Sequence, residues 1–135
     1  MERQIMWSPW TGPGLEHLHV LQQREGIIAD GLILGVKEQA PFRVHYEIHC
    51  DPQWKLRAAH LSLLSGSPQF LHLFTDGEGS WTTESGEAFP LLKGCLDVDI
   101  SATPFTNTPR SGDLLSSQVP LQHSAWCTLP SLRCM

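Results

Sequence analysis

The sequence has no C-x-x-C pair, no Gly-rich phosphate loop and no run of basic residues, and each absence removes a class of function. Its four cysteines, Cys50, Cys95, Cys127 and Cys134, are scattered, so neither a zinc knuckle nor a thioredoxin-type motif is supported. Lys and Arg number 9 against 14 Asp and Glu, a net charge of −5. That balance opposes nucleic-acid binding and anchoring to an anionic membrane, both of which rely on a basic surface. No apolar stretch approaches the roughly 20 residues of a membrane span; the longest candidate is the short Gly31–Val36 segment. The N-terminus is polar and broken by Pro9 and Pro13, unlike the apolar heart of a secretory signal. Together these absences predict a cytoplasmic chain with reduced, buried, structural thiols, no nucleic-acid partner and no integral membrane segment.

What is present is apolar enough to fold. Hydrophobic residues make up 41% of the 135 positions and charged residues 17%, outside the disordered range. A single domain of this size buries roughly 65–70% of its unfolded surface. Period-two alternation dominates. In Phe42–Cys50, the residues Phe42, Val44, Tyr46, Ile48 and Cys50 share one strand face, and Arg43, His45, Glu47 and His49 the other. Leu15–Gln23 sets Leu15, His17, His19 and Leu21 against Glu16, Leu18 and Val20. Ile27–Val36 is apolar on both faces, which suits a strand buried on both sides, with Gly31 permitting a bend or bulge. Further strands are expected at Trp54–Leu64, Gln69–Thr75, Gly79–Glu84 and Cys95–Ser101. Asp51-Pro52 and Asp76-Gly77-Glu78-Gly79 supply turns. Strands spaced about ten residues apart and joined by such turns predict a mainly β fold, an antiparallel sheet that curves or closes, with at most one helix.

Several clusters invite chemical readings. His45, Glu47 and His49 project from one strand face about 7 Å apart at each step, but no third ligand is specified. A solvated polar face is the plainer account, and no metal or other cofactor is expected. Asp97-Val98-Asp99 resembles the D-x-D of sugar transferases without their nucleotide-binding fold, and its two carboxylates could also serve as a glycosidase pair. His49 and Cys50 point to opposite faces and cannot act as a base and nucleophile together. Thr103, Thr106 and Asn107 directly follow a strand, where they can satisfy a sharp turn or contact a ligand. Among the five tryptophans, Trp54 and Trp81 lie with Tyr46 on strands expected to be near one another. Those three aromatic residues suit either core packing or stacking against a ligand.

The block Gly94-Cys95-Leu96-Asp97-Val98-Asp99-Ile100-Ser101-Ala102-Thr103-Pro104-Phe105-Thr106-Asn107-Thr108 is similar to the signature of the putative glycolipid-binding family, a group of small bacterial proteins. Val44-His45-Tyr46, Cys50-Asp51 with Trp54, and Asp76–Trp81 fit that family too. The resemblance covers about residues 5–108 and returns more weakly at 125–132. It implies a spiral β-roll and, by analogy with lipoprotein carriers, a lipid-like ligand. After Thr108 the family tends to continue Leu-Pro-Ile-Arg-Arg-Leu, where this chain has Pro-Arg-Ser-Gly-Asp-Leu. A single-base deletion in one codon choice for the family segment yields the observed residues up to Asp113. Residues 109–124 therefore read as an atypical, frame-slipped segment, expected to be irregular. A short strand is expected to resume near Ala125–Leu129, in a chain that stops short of the usual family length.

The resemblance implies a noncatalytic protein that binds a glycolipid or similar amphipathic small molecule, with Tyr46, Trp54, Trp81, Thr103, Thr106 and Asn107 as candidate contacts. A small hydrolase-type enzyme acting on sugar or lipid substrates, and an interaction module without ligand, are the alternatives.

Overall fold

The structure, a computed structural model, describes residues 1–9, 12–100 and 132–134. Seven strands form one antiparallel sheet: β1 (Glu2–Trp7), β2 (Gly14–Gln22), β3 (Ile27–Lys37), β4 (Ala40–Cys50), β5 (Leu56–Leu63), β6 (Gln69–Thr75) and β7 (Trp81–Thr83). Their order in the sheet is their order in the chain. The sheet is a meander, and among the described residues β7 does not return to β1, so it does not close. A 3-10 turn at Pro90–Leu92 leads to β8 (Val98–Ile100), which pairs with β9 (Leu132–Cys134) in a separate two-stranded sheet. The atypical segment 109–124 and the strand expected near Ala125–Leu129 lie outside the described residues. None of the described helices is long and apolar enough to cross a membrane.

Alternation decides which face becomes core. Leu18 and Val20 of β2, Ile27, Ala29 and Ile33 of β3, and Val44, Tyr46, Ile48 and Cys50 of β4 are buried on one side. Ala59 and Leu61 of β5, Leu73 of β6 and Trp81 of β7 extend this face. Leu92, Cys95, Val98 and Ile100 belong to the same cluster. We call this side the inner face. The outer face carries the histidines of β2 to β6 with Asp30 and Glu47, whereas Glu16 of β2 lies on the inner face.

Several expectations need correction. β3 is buried on one face only, with Asp30, Leu32, Leu34 and Val36 exposed. Its pairing with β4 runs without a bulge through Gly31. The irregularity lies instead between His49 and Cys50, where β4 meets β5. Trp54 is not on a strand. It sits in the turn before β5 with a left-handed backbone, φ 65°. Its N–H donates to the Asp51 carbonyl at 2.9 Å, and the Asp51 carboxylate accepts from the Gln53 and Lys55 N–H groups, each at 3.0 Å. The side-chain and backbone hydrogen bonds of Asp51 thus set the conformation that Trp54 adopts. Cys95 is disulfide-bonded, so the expectation of four reduced thiols fails there; Cys50 is a buried free thiol.

Candidate functional site

On the inner face, Tyr46 is fully buried and Glu16 is 4% exposed. The Tyr46 hydroxyl donates to Glu16 Oε1 at 2.5 Å. Tyr46 lies opposite Gly31, and a Cβ at Gly31 would come within 2.2 Å of the Tyr46 ring. The glycine is therefore the space through which the ring crosses β3 toward β2. Gly35 and Phe42 repeat the arrangement on the same two strands, an aromatic lying over a strand glycine. Trp81 is buried and its indole N–H donates to the Cys95 carbonyl at 2.8 Å. The half-buried Trp54 packs against the same core. The structure therefore brings Tyr46, Trp54 and Trp81 to one apolar cluster. Thr103, Thr106 and Asn107 lie outside the described residues.

The outer face is organised by register. His19 lies opposite Asp30, Asp30 opposite Glu47, Glu47 opposite His60 and His60 opposite His72. One row of ionisable side chains thus crosses five strands. Within and beside it the partners sort themselves. His19 bonds Glu2 at 2.7 Å, His17 bonds Gln4 at 3.1 Å and His45 bonds Asp30 at 2.8 Å. His49 Nε2 bonds Glu47 Oε1, and the Nδ1 atoms of His60 and His72 are 3.0 Å apart, one donating to the other. The His49 ring meets His60 edge-on, with centroids 5.6 Å apart. Burial, followed by the neighbouring His72 and His49, lowers the His60 pKa below its ordinary value, outweighing the opposite effect of Glu47 and Glu84.

Beside this row the sheet has a notch. β7 is three residues long and, among the described residues, pairs with Leu73–Thr75, so the first half of β6 there faces the turn after β7 rather than a strand. The resulting open groove is lined by Phe70, Leu71, His72, Thr83, Glu84 and Ser85. Phe70 is 62% exposed, and the Thr83 and Ser85 hydroxyls are hydrogen-bonded at 3.0 Å. An exposed aromatic face therefore stands beside hydroxyls, a carboxylate and an imidazole.

Sequence reasoning did not single out Glu16, His60, Phe70, His72 or Glu84. For Glu16 the signal was present: an acid in the same alternation register as Leu18 and Val20. For the others the signal needed was strand register, which places His60 against Glu47 and His72 against His60.

Among the described residues, an open antiparallel sheet with an apolar inner face, a polar outer face and an amphipathic notch defines a small β scaffold. The chain belongs to the family described as putative glycolipid-binding, whose model matches residues 4–130. It is similar to a crystal structure of a DUF1089 family protein from Pseudomonas aeruginosa, with 32% sequence identity and a TM-score of 0.61. The match covers 82% of this chain but 62% of that one, so this chain spans under two thirds of its solved relative. No curated protein matches the sequence.

Proposed function

We propose that this chain is a noncatalytic module that binds a glycolipid or a similar amphipathic molecule, with the notch beside β6 receiving the sugar-bearing end. The observation that carries this reading is the pairing of the exposed Phe70 ring with Glu84, Thr83, Ser85 and His72 in one groove. Sugar rings offer an apolar C–H face that stacks on aromatics and hydroxyls that bond to carboxylates and hydroxyl groups. Family membership supports the ligand class. An inner position against Tyr46, Trp54 and Trp81, with Thr103, Thr106 and Asn107 as polar contacts, is the other arrangement of the same function. Tyr46 and Trp81 are buried in the apolar cluster, so a ligand there must displace packed side chains, and the notch is favoured for that reason.

Native mass spectrometry with a panel of glycolipids, and with lipids of matched tails lacking the sugar, tests the proposal. The glycolipids are expected to bind and the sugar-free lipids to bind less. Phe70→Ser and Glu84→Ala should each weaken binding by about tenfold, the equivalent of about 1.4 kcal/mol. Both side chains are exposed, so neither change removes core. Absence of binding across the panel, or unchanged binding in both variants, overturns the assignment.

A further inference from the structure

We infer that Glu47, His49 and His60 form a binding site for a divalent transition metal, zinc being the ion their chemistry suits best. The inference goes beyond the ligand reading and stands on a different observation: one potential ligand atom from each of these three side chains lies within 4.8 Å of the others. Two of them come from alternate positions of β4 and the third from the directly opposing position on β5. The strand that carries Glu47 and His49 thus receives its missing third ligand from across the sheet.

The chemistry is consistent at each ligand. Two imidazoles and one carboxylate are a ligand set zinc uses when it keeps an open fourth position for water. Zinc bonds of about 2.0–2.1 Å place tetrahedral ligand atoms about 3.4 Å apart, so the three atoms need only small side-chain rotations to close on an ion. All three side chains are half-buried, reachable from solvent yet held by neighbours. His72, hydrogen-bonded to His60 through the 3.0 Å Nδ1–Nδ1 contact, serves as a positioning residue that orients the His60 ring, the role that outer-shell partners play at metal centres. Among the described residues, the other outer-face histidines do not form such a set. His19 and His45 each meet a carboxylate, and His17 meets an amide.

The test uses the untagged chain and the metal alone. Calorimetric titration with zinc chloride is expected to give one site per chain, and cobalt(II) is expected to give a visible spectrum of nitrogen and oxygen ligation. His49→Gln and His60→Gln should each weaken zinc binding by more than about tenfold, and His72→Gln by about tenfold with unchanged stoichiometry. His17→Gln, an exposed change on the same face, should bind as the parent does. Circular dichroism of each variant keeps loss of fold apart from loss of ligand. Failure of the parent chain to take up one zinc overturns the proposal. So does unchanged affinity in the His49→Gln/His60→Gln double variant, or a thiolate-to-cobalt charge-transfer band, which would place the ion on a cysteine. None of these readouts involves a lipid, so their failure is distinct from failure of the notch reading.

Discussion

Gly31 and Tyr46 act as one unit. The ring occupies the volume that any side chain at position 31 would need. Gly31→Ala forces the ring or the strand to move, and overpacking of this kind costs about 1–3 kcal/mol. A lowered urea midpoint with unchanged slope is the expected result. Asp76 illustrates the electrostatic side of the residue scale. Its carboxylate accepts the N–H groups of Glu78 at 2.7 Å and Ser80 at 3.1 Å, and these bonds hold its pKa below the ordinary 3.8. A lowered folded-state pKa means the unfolded chain takes up the proton first as pH falls. The stabilisation is therefore complete above the ordinary aspartate range and is lost as pH drops through the lower folded value. Asp76→Asn should be less stable than the parent at neutral pH, and the gap should shrink in acid below the parent's own carboxyl range. Denaturation curves across that range check the sign. Asp51 behaves alike through a different balance: burial works to raise its pKa, but bonds from Lys55, Arg57 and Gln53 outweigh burial and lower it.

The turns explain much of what the sequence shows and hides among the elements. Asp76-Gly77-Glu78-Gly79 was legible because glycine and aspartate announce a tight turn, and both glycines indeed have positive φ, 79° and 98°. The turn between β3 and β4 is not announced. It consists of Glu38 and Gln39, both with positive φ, 46° and 68°, between the paired Lys37 and Ala40. Two-residue hairpins of this type favour Asn-Gly, and neither Glu nor Gln signals it. Replacing Glu38-Gln39 by Asn-Gly should stabilise the chain by about 1 kcal/mol through relief of left-handed backbone, read as a higher thermal midpoint. β1 was missed for a related reason: as an edge strand with mostly exposed residues, it lacks the apolar alternation that revealed β4. Alternation located the strands, but their pairing register had to come from the structure. The outer-face cluster shows this directly, since Glu47 and His49 were visible together on β4 while His60 entered only through its register against Glu47.

Across the molecule, one apolar cluster joins residues from Leu18 to Ile100. Its state can be read through Cys50, a free thiol within that cluster. Burial, reinforced by the charges of Asp51 and Asp97, pushes the thiol up to about 12. Because the thiolate is the reactive form, Cys50 should resist alkylation in the native protein and react readily in denaturant. Site-resolved mass spectrometry after a short pulse of iodoacetamide separates Cys50 from the other cysteines. Rapid native labelling of Cys50 would show that the cluster opens without global unfolding.

The meander order also governs how the sheet assembles over time. Every pairing from β1 to β7 joins strands that are consecutive in the chain, whereas β8 must find β9 across more than thirty residues. Closing short loops costs little entropy, and chains rich in such local pairings fold faster than β proteins built on distant ones. Each hairpin can form on its neighbour and extend the sheet edge by edge. The β8–β9 ladder, with its long closure, is the step expected to come last. Pulse-labelled hydrogen exchange during refolding should therefore protect the amides of β3 and β4 well before those of Val98–Ile100.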